Sequence, residues 1–271
     1  VASLAGRGLE VSFKNALKTL GSSASGAKDK YRVPWYLLVG PSESKKSSLM
    51  SRLPLPRRLQ ATSGDNGIGN PCEWHFFDGG VVLDASESLF QRADLTHDEV
   101  GWRKLLALPS RHRSERPIDG VILALSGRQL LSWSERSSEE LQDIGAGLFN
   151  RLREIQQHLA LRFPVYVVVT ESERLPGFSS FLNAVPRRFH QDVFGWSNPY
   201  PLETAFRGEW VGQGLTEISE RLRECVVEVM GAKRFSPDAD AIFRFPDAAE
   251  ALIPATSQIL TEVFGDSAYH E

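Results

Sequence analysis

The chain has 271 residues, of which 41% are hydrophobic and 24% charged, and carries a formal net charge of -3. That size and balance fit a soluble globular protein with one large α/β domain, or one domain with a helical appendage, whose core needs no disulfide or metal staple. No basic excess suggests a nucleic-acid interface, and Cys72 and Cys225, the two cysteines, give neither a disulfide framework nor metal-ligand spacing.

The longest apolar runs, at 33–39 and 163–169, fall well short of the roughly 18 residues that a membrane span requires. The chain opens on Val1 rather than Met, as expected of a segment of a longer protein.

In chain order, Leu9, Phe13, Leu17 and Leu20 recur at helical spacing and predict an amphipathic helix. Residues 21–30, GSSASGAKDK, read as a polar linker. Residues 33–39 are apolar on both faces, as in a central parallel strand. A short helix over 44–53 is expected to stop at Pro54 and Pro56. Residues 60–71 read as a glycine-rich loop, and 73–77 with 81–83 as a hairpin about Asp78-Gly79-Gly80.

Residues 86–96 read as loop, and 98–108 as a helix ending at Pro109. Residues 111–116, RHRSER, read as a solvated basic loop. An apolar strand over 120–125 precedes a long helix that Ser138 is placed to cap, with Leu141, Ile144, Leu148, Leu152, Ile155 and Leu159 on one stripe. A third apolar strand covers 165–169, a short helix 178–184, and an edge strand 193–196. Amphipathic helices follow over 215–229 and 249–264, the latter kinked or split at Pro254. The expected domains are an N-terminal helix and linker over 1–30, an α/β domain over 31–200 and a helical extension over 201–271.

Strands near residues 33, 81, 120 and 165 alternate with helices, the pattern of a mostly parallel sheet with helices on both faces. Ligands bind such sheets beyond the carboxyl ends of their strands, so chemistry is expected after Val39, Leu83, Leu125 and Val169. The first of these loops, GPSESKKS, is in the register of a phosphate-binding loop. Gly40, Lys46 and Ser47 fit that motif, but Lys45 replaces its second glycine. The six histidines, at 75, 97, 112, 158, 190 and 270, show no metal spacing, and Trp35, Trp74, Trp102, Trp196 and Trp210 read as packing residues.

VPWYLLVGPSESKKSSL, CEWHFFDGGVVLDAS, RPIDGVILALSGRQLL, FPVYVVVTESERLPGFSSF, FGW and IFRFP occur in this order. Together they resemble the cytoplasmic NTPase-like domain of the TssM (IcmF-related) family, inner-membrane components of type VI secretion systems. The resemblance covers about residues 31–264 and implies a Ras-like P-loop GTPase fold, flanked in the whole protein by transmembrane helices.

On that resemblance, Lys46 and Ser47 match the phosphate-binding lysine and the magnesium-holding hydroxyl. Lys45 stands where a glycine avoids a Cβ, at a backbone cost of order 1 kcal/mol or with a changed loop shape. Glu43 adds a carboxylate inside the loop, worth roughly 3 kcal/mol of repulsion at about 5 Å from a phosphate. The family's metal-bridging threonine falls at about Gly69. Its LDTAG appears as Leu83-Asp84-Ala85-Ser86-Glu87, with Glu87 in place of the glycine, and its TKxD as Thr170-Glu171-Ser172-Glu173. Each of these four elements has lost a part.

The resemblance therefore implies a vestigial nucleotide site of Gly40, Lys45, Lys46, Ser47, Asp84, Thr170 and Glu173, with no catalytic residue and no cofactor. The alternative is a weak or partner-activated NTPase taking GTP or ATP with magnesium on Ser47 and Asp84. The implied role is a docking module at the cytoplasmic face of the bacterial inner membrane. Its implied partners are the cytoplasmic domain of TssL and the baseplate components, with no nucleic acid.

Overall fold

A computed structural model describes residues 4–21, 31–59, 71–91, 97–186, 189, 194–201, 204, 206–232 and 238–265. Within them the elements run α1 (Leu4–Gly21), β1 (Trp35–Val39), α2 (Lys46–Arg52), β2 (Arg57–Leu59), β3 (Cys72–Phe77), β4 (Gly80–Ala85), α3 (Glu87–Gln91), α4 (His97–His112), β5 (Gly120–Ser126), α5 (Gly127–Trp133), α6 (Ser138–Leu159), β6 (Val165–Thr170), α7 (Phe178–Ala184), α8 (Glu209–Ala232), α9 (Ala239–Glu250) and α10 (Ile253–Phe264). The chain divides into two units, one of Val1–Ser126 with Arg151–Thr170 and the other of Gly127–Asn150 with Glu171–Glu271.

The first unit is built on a mixed, mostly parallel sheet ordered β2-β3-β4-β1-β5-β6. β1 pairs in parallel with β4 and β5, and β5 with β6, while β3 runs antiparallel to β2 and β4. β1 lies inside the sheet with both faces covered, which is why its sequence is apolar throughout. Leu38, Val82 and Ala124 join Phe77 in one cluster with Met50 of α2. On the other face, Phe13 of α1 meets Trp35 and Trp74 edge-on at 6.2 and 5.3 Å, and His112 of α4 stacks on Trp35. Burying side chains of this size stabilises by about 1.5–3 kcal/mol each.

In the second unit, Phe178 and Phe181 of α7 pack on Phe245 of α9. Gly177 precedes α7 at φ 83, and a Cβ there would lie 2.3 Å from the Ala241 carbonyl, so glycine is required twice over. Arg223 of α8 pairs with Asp247 and Glu250 of α9.

Several expectations need correction. The stretch 86–96 contains α3, whose last carbonyls accept hydrogen bonds from the buried Arg151 guanidinium, through Phe90 and Leu89; residues 92–96 lie outside the described ones. α4 continues past Pro109 to His112. The run 111–116 is a solvated loop only in part: Arg111 and His112 end α4, and Ser114, Glu115 and Arg116 are exposed, but Arg113 is fully buried, 3.1 Å from Asp119 and over the rings of Trp35 and Tyr31. Burial lowers its pKa, while Asp119 opposes that shift.

Ser137, not Ser138, caps α6. Its hydroxyl accepts from the Glu140 amide while Glu140 accepts from the Ser137 amide, a reciprocal capping box. Residues 194–196 are not a strand, and Val193 lies outside the described residues, as do the linker 22–30 and the loop 60–70. The final helical stretch is split as expected, with Pro254 in the first turn of α10. Among the described residues no helix is long and apolar enough to cross a membrane.

Candidate functional site

The loop between β1 and α2 leaves the sheet where a side chain has no room. A Cβ on Gly40 would lie 2.4 Å from the Ala124 carbonyl and 2.8 Å from Ser44 Oγ. The Ser44 amide donates to the Pro41 carbonyl at 3.2 Å, closing a turn. Glu43 and Lys45 both lie in the left-handed region, at φ 63 and φ 51. Lys45 thus keeps the backbone that suits a glycine and carries a Cβ there, at a cost of about 1 kcal/mol. As the residue before α2 it contributes no side-chain cap.

Lys46 opens α2 and is only 3% exposed. Its ammonium donates to Ser44 Oγ at 3.4 Å and stands 4.0 Å from Glu87 Oε1. Burial lowers its pKa, and the carboxylates of Asp84 and Glu87 counter that shift. Ser47 Oγ donates to Asp84 Oδ2 at 3.3 Å.

Asp84 is the next-to-last residue of β4, all six residues of which are buried. Burial pushes its carboxyl up to about 6; Lys46 and the Ser47 hydroxyl pull it down, while Glu73 and Glu87 add to the rise. At the end of β6, Thr170 Oγ1 donates to the Ser44 carbonyl at 2.7 Å, and more distantly to the Leu125 carbonyl at 3.4 Å.

Gly40, Lys45, Lys46, Ser47, Asp84 and Thr170 therefore meet at the carboxyl ends of β1, β4 and β6. Thr170 serves there as a clasp on the loop backbone. Glu173 lies in the second unit, in the 3₁₀ turn Ser172–Arg174 that follows Glu171 at φ 50. Gly69 lies outside the described residues.

Sequence reasoning missed two side chains beside this loop, Glu73 and His75. His75 Nε2 stands 3.9 Å from Asp84 Oδ2 and 4.0 Å from Glu73 Oε2. The signal was available: the Asp78-Gly79 turn pairs Glu73 with Asp84 and His75 with Val82, and alternation puts Glu73 and His75 on one face.

The profile of the IcmF-related N-terminal domain family matches residues 96–271. The chain is 30% identical over 266 residues, 94% of its own length, to the type VI secretion system component TssM1 of Pseudomonas aeruginosa. It spans about a quarter (24%) of that curated relative. No solved structure matches the chain.

Proposed function

We propose, from the premise that this chain belongs to the IcmF-related N-terminal domain family, that it is a docking module of a type VI secretion membrane complex. On this reading it is built on a Ras-like P-loop GTPase frame that no longer takes nucleotide. The frame reading is supported by a buried β1 that leads through a Gly40 loop into α2, and by the antiparallel β3–β4 hairpin beside parallel β4, β1, β5 and β6.

One observation carries the loss of nucleotide: the buried Lys46 ammonium has the Glu87 carboxylate at 4.0 Å. Glu87 occupies the place where the resemblance expects a glycine facing the terminal phosphate. A phosphate brought to Lys46 would meet that carboxylate, and like charges about 5 Å apart repel by roughly 3 kcal/mol at an effective dielectric near 20. The loop's amides are also reduced as a cradle, because the Ser44 N–H is turned onto Pro41. The residues present therefore do not fit a magnesium nucleotide, and no hydrolytic step is derived through one.

The proposed partners are the cytoplasmic part of TssL and the baseplate, met at the cytoplasmic face of the inner membrane. The helical segment 201–271 is proposed as an extension of the NTPase-like part. A second reading, a weak or partner-activated NTPase, is favoured by the Ser47–Asp84 hydrogen bond at 3.3 Å, since those groups would orient magnesium. Calorimetric titration of this chain with the TssL cytoplasmic domain, with and without GTP or ATP and magnesium, separates the two. The docking reading expects one affinity in all conditions. An interaction that requires nucleotide contradicts it.

A further inference from the structure

Beside the phosphate loop, the β3–β4 hairpin gathers one imidazole and two carboxylates. Glu73 and Asp84 are directly opposite across the hairpin, and His75 is diagonal to Asp84, within reach for long side chains. One donor atom from each of Glu73, His75 and Asp84 lies within 4.8 Å of the others. His75 and Asp84 are 7% and 5% exposed, and Glu73 is 42% exposed.

The separations decide what this group can do. His75 Nε2 is 3.9 Å from Asp84 Oδ2 and 4.0 Å from Glu73 Oε2, longer than the roughly 2.7–3.2 Å of a hydrogen bond. Donors sharing a tetrahedral cation through bonds of about 2.0–2.1 Å stand about 3.3 Å apart. Side-chain rotations must close those two gaps and a Glu73–Asp84 separation of up to 4.8 Å. The geometry points to a site for a Zn²⁺-type divalent cation on His75, Asp84 and Glu73, with solvent reaching it on the Glu73 side.

The donor set selects among metals. An imidazole with two carboxylates suits Zn²⁺, whereas Mg²⁺ prefers an all-oxygen octahedron. Ser47 Oγ, donating to Asp84 Oδ2, takes the place of the outer hydrogen bond that orients a ligating carboxylate. A ligating imidazole is neutral and ligating carboxylates are charged; with the Lys46 ammonium already acting on Asp84, the two carboxylates leave net negative charge that a divalent cation offsets. Such an ion would fasten the hairpin end to α2 through Asp84 and Ser47. The site goes beyond the docking reading and requires no nucleotide.

The test is calorimetric titration of the chelator-stripped chain with Zn²⁺ alone and with Mg²⁺ alone, without nucleotide. The expected result is one equivalent of Zn²⁺, bound at least about tenfold more weakly by both His75→Ala and Glu73→Gln, with Mg²⁺ bound more weakly still. Glu73→Gln alters a half-exposed side chain, so it retains the test if His75→Ala fails to fold by circular dichroism. Absence of Zn²⁺ binding to the folded chain, binding that Glu73→Gln leaves unchanged, or equal affinity for Mg²⁺ would each overturn the site.

Discussion

Lys46 Nζ lies 4.0 Å from Glu87 Oε1, the ammonium buried and the carboxylate half-exposed. In a working phosphate loop the lysine's counter-charge arrives with the ligand. Here the chain supplies it from the first residue of α3, and Arg151 holds the other end of that short helix. On the proposed reading, the loop keeps the frame of a phosphate loop and differs in what faces its lysine.

Lys45 holds the glycine's left-handed backbone at φ 51. Lys45→Gly is therefore expected to stabilise the chain by up to about 1 kcal/mol, a rise of roughly 2–4 °C in Tm. Lys45→Ala retains the Cβ and should give no such gain. Differential scanning calorimetry of the two variants checks this, and equal Tm values would remove the strain.

Thr170 clasps the loop through the Ser44 carbonyl at 2.7 Å. Thr170→Val keeps the shape and deletes the donor, leaving that carbonyl short of a partner at a cost of about 1–2 kcal/mol. Urea unfolding should show the loss, and amide exchange should quicken in residues 42–46. Unchanged exchange there would mean that the clasp does not hold the loop.

Asp84 is raised from 3.8 to about 6, with burial the largest cause. A carboxyl whose folded pKa is raised adds stability when protonated, fully present below about pH 4 and lost as pH rises through about 6. In chelator, Asp84→Asn should thus stabilise the chain at pH 7.5 by up to about 3 kcal/mol and leave it nearly unchanged at pH 4. Unfolding free energies at the two pH values test the sign; a loss of stability at pH 7.5 would reverse it.

Legibility tracked how local each signal was. β1 and β5 were readable to within two residues because both faces of a strand inside a parallel sheet must be apolar; β6, at the sheet edge with Tyr166 and Val169 exposed, was readable as a run of β-branched residues, and Phe178–Ala184 was bounded by Gly177 and Pro186. α3 was unreadable because five residues show no period, and its ends depend on Arg151, about sixty residues away. Pro109 misled because its ring acts on the preceding turn while the chain after it stays helical. Lys45 was legible from the motif and Thr170 from the resemblance of Thr170-Glu171-Ser172-Glu173 to the family's TKxD element. The use of Thr170 as a clasp, and the meeting of His75 with Asp84, required the register of the sheet.

On the proposed reading, the loop takes no nucleotide because the chain's own groups meet Lys46 and shape the loop. Equilibrium titration with fluorescent GTP and ATP analogues in magnesium tests it most directly, on the wild type, on Lys46→Ala and on the double variant Lys45→Gly, Glu87→Gly. The expected result is no binding at micromolar concentrations by the wild type or Lys46→Ala, and a gain in the double variant. Micromolar binding by the wild type, lost in Lys46→Ala, would contradict it.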